Sequence, residues 1–391
     1  MNSEVRLFTA IFVALFALSS CNKENFTERL EVDNTRITQE ITDESVNAFR
    51  FPGDGTGSVY VMDNDPGSNN VLVFNRRPNG TLNGPLKVAT HGQGSGGGLG
   101  SQGSIVSDGE YVYACNAGSN TISVLRIVGK TLKFVDKTSS HGTMPISIAV
   151  HDNLIYVLNA GGTGNISGFK LGLGGLNHIP FSDQALSSSA AGPAQISFNT
   201  AGDQLVVTEK ATNMITTYAV DGSGKAGAGT SYPSAGLTPF GFEFSPAGDL
   251  IVSEAFGGNE NASTVSSYSL GAGGTVDLID GPEATNQTAA CWVVVTSNGE
   301  FAYASNTGSN SVTGYRIDDD GDLHLLNADG VTGVTGDGPI DMDMSPNSTF
   351  LYVLNARDNS ISVLSRRYNG QLFPVQTITD LPDAVVGMAV E

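Results

Sequence analysis

The sequence predicts an all-β, seven-bladed β-propeller made of four-stranded antiparallel blades, and three observations support this fold class. A short apolar run that ends in Asn or Glu recurs seven times, about every 50 residues, as expected for a propeller repeat. Each unit has four strand signals in the same order. Glycine is abundant, at 49 of 391 residues, and only 15% of residues are charged, which is typical of many tight turns between short apolar strands.

The repeated run is the second strand of each predicted blade. In the third unit, residues 146–150 form the first strand signal, 153–159 the repeated run and 166–171 the third, and a weaker strand follows Gly174. The seven runs end at Asn64, Asn116, Asn159, Glu209, Glu254, Asn306 and Asn355.

The two ends of the repeat region predict how the ring closes. The first unit has no first strand upstream of Tyr60, whereas an additional strand signal at 384–390 follows the last unit. An open propeller would expose an unpaired strand edge. We therefore expect the C-terminal strand 384–390 to complete the first blade.

The N-terminal region predicts export. Residues 7–18 are apolar and too short to span a bilayer, as in a signal peptide. The following Leu18-Ser19-Ser20-Cys21 resembles the lipobox of bacterial lipoproteins, which implies lipidation at Cys21; a cleaved signal peptide with an incidental Cys is the alternative. We predict a lipoprotein signal peptide at 1–20, a polar tether at 21–50, the propeller at 51–391, and a location in the bacterial cell envelope, on the outer membrane or cell surface.

The charge balance limits the possible partners. With 19 basic and 39 acidic residues the formal net charge is −20, so a nucleic-acid backbone would be repelled. We expect a monomer that meets the membrane through its lipid anchor only. The pattern indicates no metal and no cofactor, and a small-molecule ligand or lactone is the expected partner.

The strand ends predict a candidate site. The seven residues that end the repeated runs should surround one mouth of the channel. Asn is also a turn former that bonds its own backbone, whereas Glu209 and Glu254 depart from the pattern. A shielded carboxylate there could act as a general base; the alternative is a structural Glu satisfied by Lys210 or by backbone donors.

Other candidates come from the starts of first strands and the connections that precede them: Gln102, His141, Gln195, Trp292 and Asp341. Trp292 could stack on a ligand or pack in the core, and His141 could be a ligand contact or an ordinary loop residue. The glycine-rich segment 92–103 could approach a ligand through its backbone amides.

Several motifs carry a family resemblance. Asn79-Gly80-Thr81-Leu82, Tyr156-Val157-Leu158-Asn159 and Gly192-Pro193 resemble the seven-bladed lactonase family, which includes propeller-type 6-phosphogluconolactonases and 3-carboxymuconate lactonizing enzymes. The resemblance implies a Gly-Pro-Arg-His motif followed by a strand ending in Asn-Glu. Here the matching residues are Gly192-Pro193-Ala194-Gln195 and Thr208-Glu209, so the Glu is kept and the Arg and His are replaced.

These observations predict an exported, lactonase-like propeller that binds a small ligand at the channel mouth and hydrolyses or forms a lactone. Glu209 would activate water and Gln195 or Lys210 would stabilise the oxyanion, with Glu254 as a further catalytic candidate. The predicted ligand contacts are Gln102, His141, Trp292, Asn116, Asn159, Asn306 and Asn355. The alternative is a non-catalytic surface propeller that binds a protein or glycan.

Overall fold

A computed structural model describes residues 55–391, so the predicted signal peptide, Cys21 and the tether 21–50 lie outside the described residues. The described residues form seven antiparallel sheets arranged as blades, which confirms the seven-bladed propeller. No helix between residues 55 and 391 is long and apolar enough to cross a membrane.

The strands follow the chain blade by blade. Blade 1 contains β1 (Gly57–Met62), β2 (Asn70–Arg76) and β3 (Leu82–Ala89). Blade 2 contains β4 (Ile105–Ser107), β5 (Tyr111–Asn116), β6 (Thr121–Val128) and β7 (Thr131–Ser139). Blade 3 contains β8 (Pro145–His151), β9 (Leu154–Asn159), β10 (Asn165–Gly172), β11 (Gly175–His178) and the short β12 (Gln184–Ala185). Blade 4 contains β13 (Pro193–Phe198), β14 (Gln204–Glu209), β15 (Met214–Ala219) and β16 (Thr230–Pro233).

The remaining blades follow the same order. Blade 5 contains β17 (Pro239–Phe244), β18 (Leu250–Glu254), β19 (Thr264–Leu270) and β20 (Val276–Ala284), with a 3-10 turn at Phe256–Gly258. Blade 6 contains β21 (Ala290–Val295), β22 (Phe301–Asn306), β23 (Ser311–Ile317), β24 (Leu323–Leu325) and the short β25 (Gly333–Val334). Blade 7 contains β26 (Pro339–Met344), β27 (Phe350–Asn355), β28 (Ser360–Arg366) and β29 (Leu372–Ile378), and the chain ends with β30 (Val386–Val390).

The last strand closes the ring as predicted. Strand β30 pairs antiparallel with β1, with Val390 opposite Val59 and Met388 opposite Val61. It also contacts β4 and β26, so each blade has an inner strand beside the channel. The first blade is therefore built from both ends of the propeller.

Three of the repeated tyrosines join neighbouring blades. Tyr156, Tyr303 and Tyr352 are fully buried, and their hydroxyls donate at 2.7–2.9 Å to carbonyl oxygens in the outer turn of the next blade. The acceptor of Tyr352 is Gly80, which has a φ of +81° and no room for a β-carbon beside the Phe350 ring. These three tyrosines fix the spacing between neighbouring blades, whereas Tyr60 and Tyr113, which begin two other repeated runs, donate to Glu391 and Asp108 within their own blades.

Candidate functional site

The asparagines that end the repeated strands lie at one end of the channel, with their side chains buried in the blades. Asn116, Asn306 and Asn355 each donate Nδ2 at 2.8–3.2 Å to two hydroxyl groups, five and seven residues further along the chain. Asn159 donates instead to the Ser140 carbonyl at 3.1 Å. In this arrangement the amides fasten the second strand to the third.

Blade 1 departs from the predicted ring by one residue. Asp63 occupies the strand-end position and accepts hydrogen bonds from the Asn70 backbone at 2.8 Å and from its side chain at 2.9 Å. Asn64 comes next and donates to the Gly97 carbonyl at 2.7 Å. Asn64 therefore holds the glycine-rich segment.

Glu209 is fully buried in the same strand-end position of blade 4. Its carboxylate accepts hydrogen bonds from the backbone and hydroxyl of Ser187 and from the hydroxyls of Thr212 and Thr216. Glu209 ends the second strand of its blade, as the asparagines do in theirs. The asparagines donate hydrogen bonds from this position, whereas the ionised Glu209 carboxylate can only accept them. Its predicted action as a base on water requires release from these donors.

Glu254 has an equivalent environment in blade 5 and is also fully buried. It accepts from the Gly236 backbone at 2.9 Å, from Ser266 at 2.8 Å and from the Tyr268 hydroxyl at 3.1 Å, and further from Ser234 and Thr264. These donors come from two segments, the connection between blades 4 and 5 and the strand β19. The carboxylate thus joins the connection between the blades to the third strand of blade 5.

Gln195, which the motif resemblance aligns with the family's His, spans the joint between blades 4 and 5. Its Nε2 donates to the Phe242 carbonyl at 2.9 Å, and its Oε1 accepts from the Phe242 backbone at 2.7 Å. The side chain therefore reproduces a pair of backbone hydrogen bonds between β13 and β17, which do not pair as a ladder. Both polar groups of the amide are engaged in this geometry.

The glycine-rich segment crosses the top of the channel. Gln102 pairs with both backbone groups of Val293 in blade 6, at 2.7 and 3.0 Å, and its own backbone donates to the Ala194 carbonyl in blade 4. Ser101 donates to the Ile146 carbonyl in blade 3 at 2.8 Å. The segment leading into β4 thus links blades on opposite sides of the ring and closes the channel beneath the mouth.

Two predicted site residues hold this closing segment in place. The Trp292 indole donates Nε1 to the Ser101 carbonyl at 3.0 Å and packs on the Phe240 ring. The Lys210 ammonium donates to the Gly100 carbonyl and lies 4.7 Å from the centroid of the same Phe240 ring. At this end of the channel the observed contacts of both residues are with the protein itself.

Above the closing segment lies a cavity of about 590 Å³, which we call the mouth cavity. Its floor is formed by residues 96–101 and Trp292, and its wall by residues 383–387 and the start of blade 7. Arg357 and Asp383 contribute charged groups to its lining. A volume of this size suits a small ligand in a largely preformed site.

Arg357 is anchored at this cavity without being enclosed. Its Nη1 donates to the Thr307 carbonyl at 3.2 Å and pairs with Asp337 at 3.3 Å, while 43% of the side chain is exposed. Asp383 accepts from Asn359 at 2.9 Å. The rim therefore offers a guanidinium donor and a carboxylate acceptor to a polar ligand.

His141 and Asp341 lie elsewhere. His141 is exposed in the connection that precedes blade 3, outside the lining of the mouth cavity. Partial desolvation of its ring, and secondarily the nearby His178, lowers the pKa of His141. Asp341 is buried on β26 and accepts from the Met388 backbone at 3.2 Å. The structure therefore separates these two candidates from the mouth.

Below the closing segment the channel holds a second cavity of about 330 Å³ with three acidic residues, Glu243, Asp341 and Asp343. Burial, and secondarily the charge of Asp343, raises the pKa of Glu243 to about 8. Burial raises the pKa of Asp343 to about 7 and that of Asp341 well above its usual range. These groups bond the inner strands to one another, since Val295 donates to Glu243 at 2.9 Å and Val390 to Asp343 at 2.8 Å.

The fold and the site define a seven-bladed propeller with a closed channel and a polar cavity at one mouth. The chain belongs to the family described as "Lactonase, 7-bladed beta-propeller", whose model matches residues 59–173 and 255–388. This membership confirms the resemblance read from the motifs. The matched regions flank Gln195 and Glu209 on both sides and include Trp292 and Arg357.

Individual relatives agree with this family. A 6-phosphogluconolactonase from Enterobacter sp. (strain 638) is 29% identical over 131 residues, which cover 32% of this chain and 38% of that enzyme. The structure of a periplasmic gluconolactonase from Pseudomonas aeruginosa has a TM-score of 0.67 at 15% identity, covering 84% of this chain and 98% of that one. A protein from Lactobacillus plantarum has the same TM-score at 18% identity, covering 86% and 99%. At these identities the two structures show the shared fold.

Sequence reasoning missed Arg357 and Asp383 because neither is an exception within a repeat. Arg357 follows the seventh repeated run by two residues and is one of only 19 basic residues in the chain. A scan for basic residues next to strand ends would have found it together with Lys210. Asp383 lies in the connection to the closing strand, and no residue pattern distinguishes it there.

Proposed function

We propose that the mouth cavity binds a small, uncharged sugar lactone. The observation that carries the proposal is the mouth cavity itself, with the Trp292 floor and the polar groups of Arg357 and Asp383 at its rim. A guanidinium can donate to the lactone carbonyl, and a carboxylate can accept from sugar hydroxyls. The net charge of −20 disfavours phosphorylated ligands.

The relatives support the ligand class. One is a 6-phosphogluconolactonase and another a periplasmic gluconolactonase. The predicted export of this chain and the replacement of the family's Arg and His by Ala194 and Gln195 favour an unphosphorylated lactone. The anchor at Cys21 and the cell-envelope location belong to the same proposal.

Calorimetric titration with glucono-δ-lactone and 6-phosphogluconolactone tests the binding. We expect the unphosphorylated lactone to bind, and Arg357→Met to weaken binding about tenfold or more, because a hydrogen bond to a charged group contributes about 1.5–3 kcal/mol. Arg126→Met is the matched control, since Arg126 forms a similarly exposed ion pair with Glu110 at 3.2 Å. Equal affinities of the two variants would contradict the proposal, as would tighter binding of the phosphorylated lactone.

Hydrolysis of the bound lactone is the second candidate, and the retention of Glu209 at the family position favours it. The carboxylate would take a proton from water as it attacks the lactone carbonyl, and the ring oxygen would leave with a proton to give the hydroxy acid. A charged donor such as Arg357 or Lys210 would stabilise the oxyanion. Glu209 does not line the mouth cavity, so its contacts with Ser187, Thr212 and Thr216 must open and its carboxylate must move to the bound lactone for this step.

Proton release from a panel of unphosphorylated lactones tests this second candidate. Hydrolysis through Glu209 predicts turnover that is lost in Glu209→Gln and kept in Glu254→Gln, which changes an equally buried carboxylate one blade away. Thermal melts of both variants establish that they are folded. Equal rates for the two variants remove Glu209 from catalysis, and no turnover by the wild type leaves binding as the function.

A further inference from the structure

Two histidines and one aspartate converge on the surface of blade 3, away from the mouth cavity. The His141 and His178 rings stack with their centroids 3.6 Å apart and their planes 8° from parallel. Asp183 Oδ1 lies 3.0 Å from His178 Nε2. One ligand atom from each residue lies within 4.8 Å of the others.

We propose that His141, His178 and Asp183 bind a divalent transition-metal ion, of which zinc is the representative. Imidazole and carboxylate are ordinary zinc ligands at about 2.0–2.2 Å, so two ligands of a tetrahedral ion lie about 3.3 Å apart. Because the lone pair of a ring nitrogen lies in the ring plane, the two stacked imidazoles must tilt relative to each other to bind one ion. Imidazole ligands also suit copper and nickel. Three protein ligands leave a fourth position open to water or a ligand.

The scaffold holds two of the three ligands in place. His178 ends β11, opposite Phe169 of β10, and Asp183 directly precedes β12, which pairs with the other end of β10. The turn between them is fastened to Gly168, whose backbone donates to Ser182 Oγ and accepts from the Ile179 backbone, both at 2.9 Å. A turn held at both ends by one strand keeps its ligands in a fixed relation, as a preorganised site requires.

The third ligand comes from the connection between blades 2 and 3. The His141 carbonyl accepts from Asn165 Nδ2 at 3.3 Å, and the buried Phe169 ring lies edge-on to both imidazoles at 5.5 and 5.8 Å. His141 and Asp183 are exposed and His178 is partly exposed, so an ion can enter from solvent. A bound ion would link the connection between β7 and β8, residues 140–144, to the β11–β12 turn.

The chain contains internal comparisons for this cluster. His324 pairs with Asp318 at 2.9 Å but has no stacked imidazole. His91 occupies the connection that precedes blade 2, as His141 does for blade 3, and packs edge-on to Phe134 at 4.3 Å. Neither belongs to a cluster of three metal-binding groups within the described residues. They are matched controls for a surface His–Asp pair and for a His in a blade connection.

Zinc binding to the untagged, chelator-treated protein tests the proposal by competition with a chromophoric chelator. We expect one equivalent of zinc in the wild type, loss of that equivalent in His141→Ala and His178→Ala, and its retention in His91→Ala and His324→Ala. Asp183→Asn should weaken binding by at least about 10–100-fold, because removing even a carboxylate that only orients a ligating imidazole has an effect of that size. These variants change four of the chain's five histidines.

Cobalt provides an independent readout, because its visible absorption reports the ligand set directly. A wild-type spectrum that is lost in His178→Gln, with an unchanged melting temperature of the metal-free variant, supports the site and excludes misfolding as the cause. No stoichiometric zinc or cobalt binding by the wild type would overturn the proposal. Binding that survives both His141→Ala and His178→Ala would overturn it equally.

Discussion

At the scale of single residues, the last residue of the second strand is an amide in some blades and a carboxylate in others. The amide donates hydrogen bonds there, and the carboxylate accepts them. Asn306 donates to hydroxyls of the third strand, whereas Glu209 and Glu254 accept from hydroxyls and backbone groups. The sequence shows the two glutamates as exceptions to the repeat. It could not reveal that the exceptions are fully buried, because Ser187 and Ser234 approach them from other segments of the chain.

The acidic residues of the channel predict a pH dependence of stability. The folded-state pKa is raised to about 8 for Glu243 and about 7 for Asp343, above the ordinary value of about 4. Between the ordinary and the raised pKa values the folded state therefore binds more protons than the unfolded state. The stability that these groups contribute is full below about pH 4 and is lost as pH rises through about 7 to 8. We expect the free energy of unfolding to fall from pH 5.5 to 8.5, and to fall less in Asp343→Asn.

Urea unfolding at pH 5.5, 7.0 and 8.5 measures this slope. Asp319→Asn, in an exposed turn, is the control and should keep the wild-type slope. The same slope in the wild type and in Asp343→Asn would show that the channel carboxyls are not responsible.

At the scale of strands, polar side chains of the inner strands act as joints between blades. The Ile196 backbone donates to Ser147 at 3.1 Å, and the Phe242 backbone donates to Gln195 at 2.7 Å. A polar residue on an inner strand can face a ligand or bond to the next blade, and its sequence pattern is the same in both cases. The sequence pattern therefore predicts Gln195 as a catalytic candidate, and it gives no sign that the amide bonds to Phe242 of β17.

Closure by β30 predicts a large loss of stability when the chain is truncated after Leu381. The truncation exposes the edge of β1, removes the buried Val386 and Met388, and leaves Asp341 and Asp343 without the backbone donors of β30. Each large buried apolar side chain contributes about 1.5–3 kcal/mol. At about 2–4 °C per kcal/mol, we expect the melting temperature to fall by roughly 10 °C or more.

Differential scanning calorimetry of the full and truncated chains measures this effect. A synthetic peptide of residues 382–391 added to the truncated protein should recover part of the loss. An unchanged melting temperature on truncation would contradict the closure.

At the scale of the whole molecule, the repeats in the sequence predict the fold. The mouth cavity depends on segments that do not repeat, and it could not be predicted. Copy number, strand order and ring closure follow from the spacing of the repeated runs and the additional strand at the end. The mouth cavity depends on the glycine-rich segment, whose Gln102 meets Val293 across 191 residues of sequence. Local patterns cannot predict a contact over that distance, and no residue pattern distinguishes Asp383 in the connection to the closing strand.

The central claim, that the mouth cavity binds the ligand, is tested most directly by the fluorescence of Trp292, the single tryptophan of the chain, which lies in the cavity floor. Titration with glucono-δ-lactone should give a saturable change in emission, shifted to higher concentration in Arg357→Met and unchanged in Arg126→Met. Binding detected by calorimetry without any change in Trp292 emission, or with the same curve in Arg357→Met, would contradict the claim.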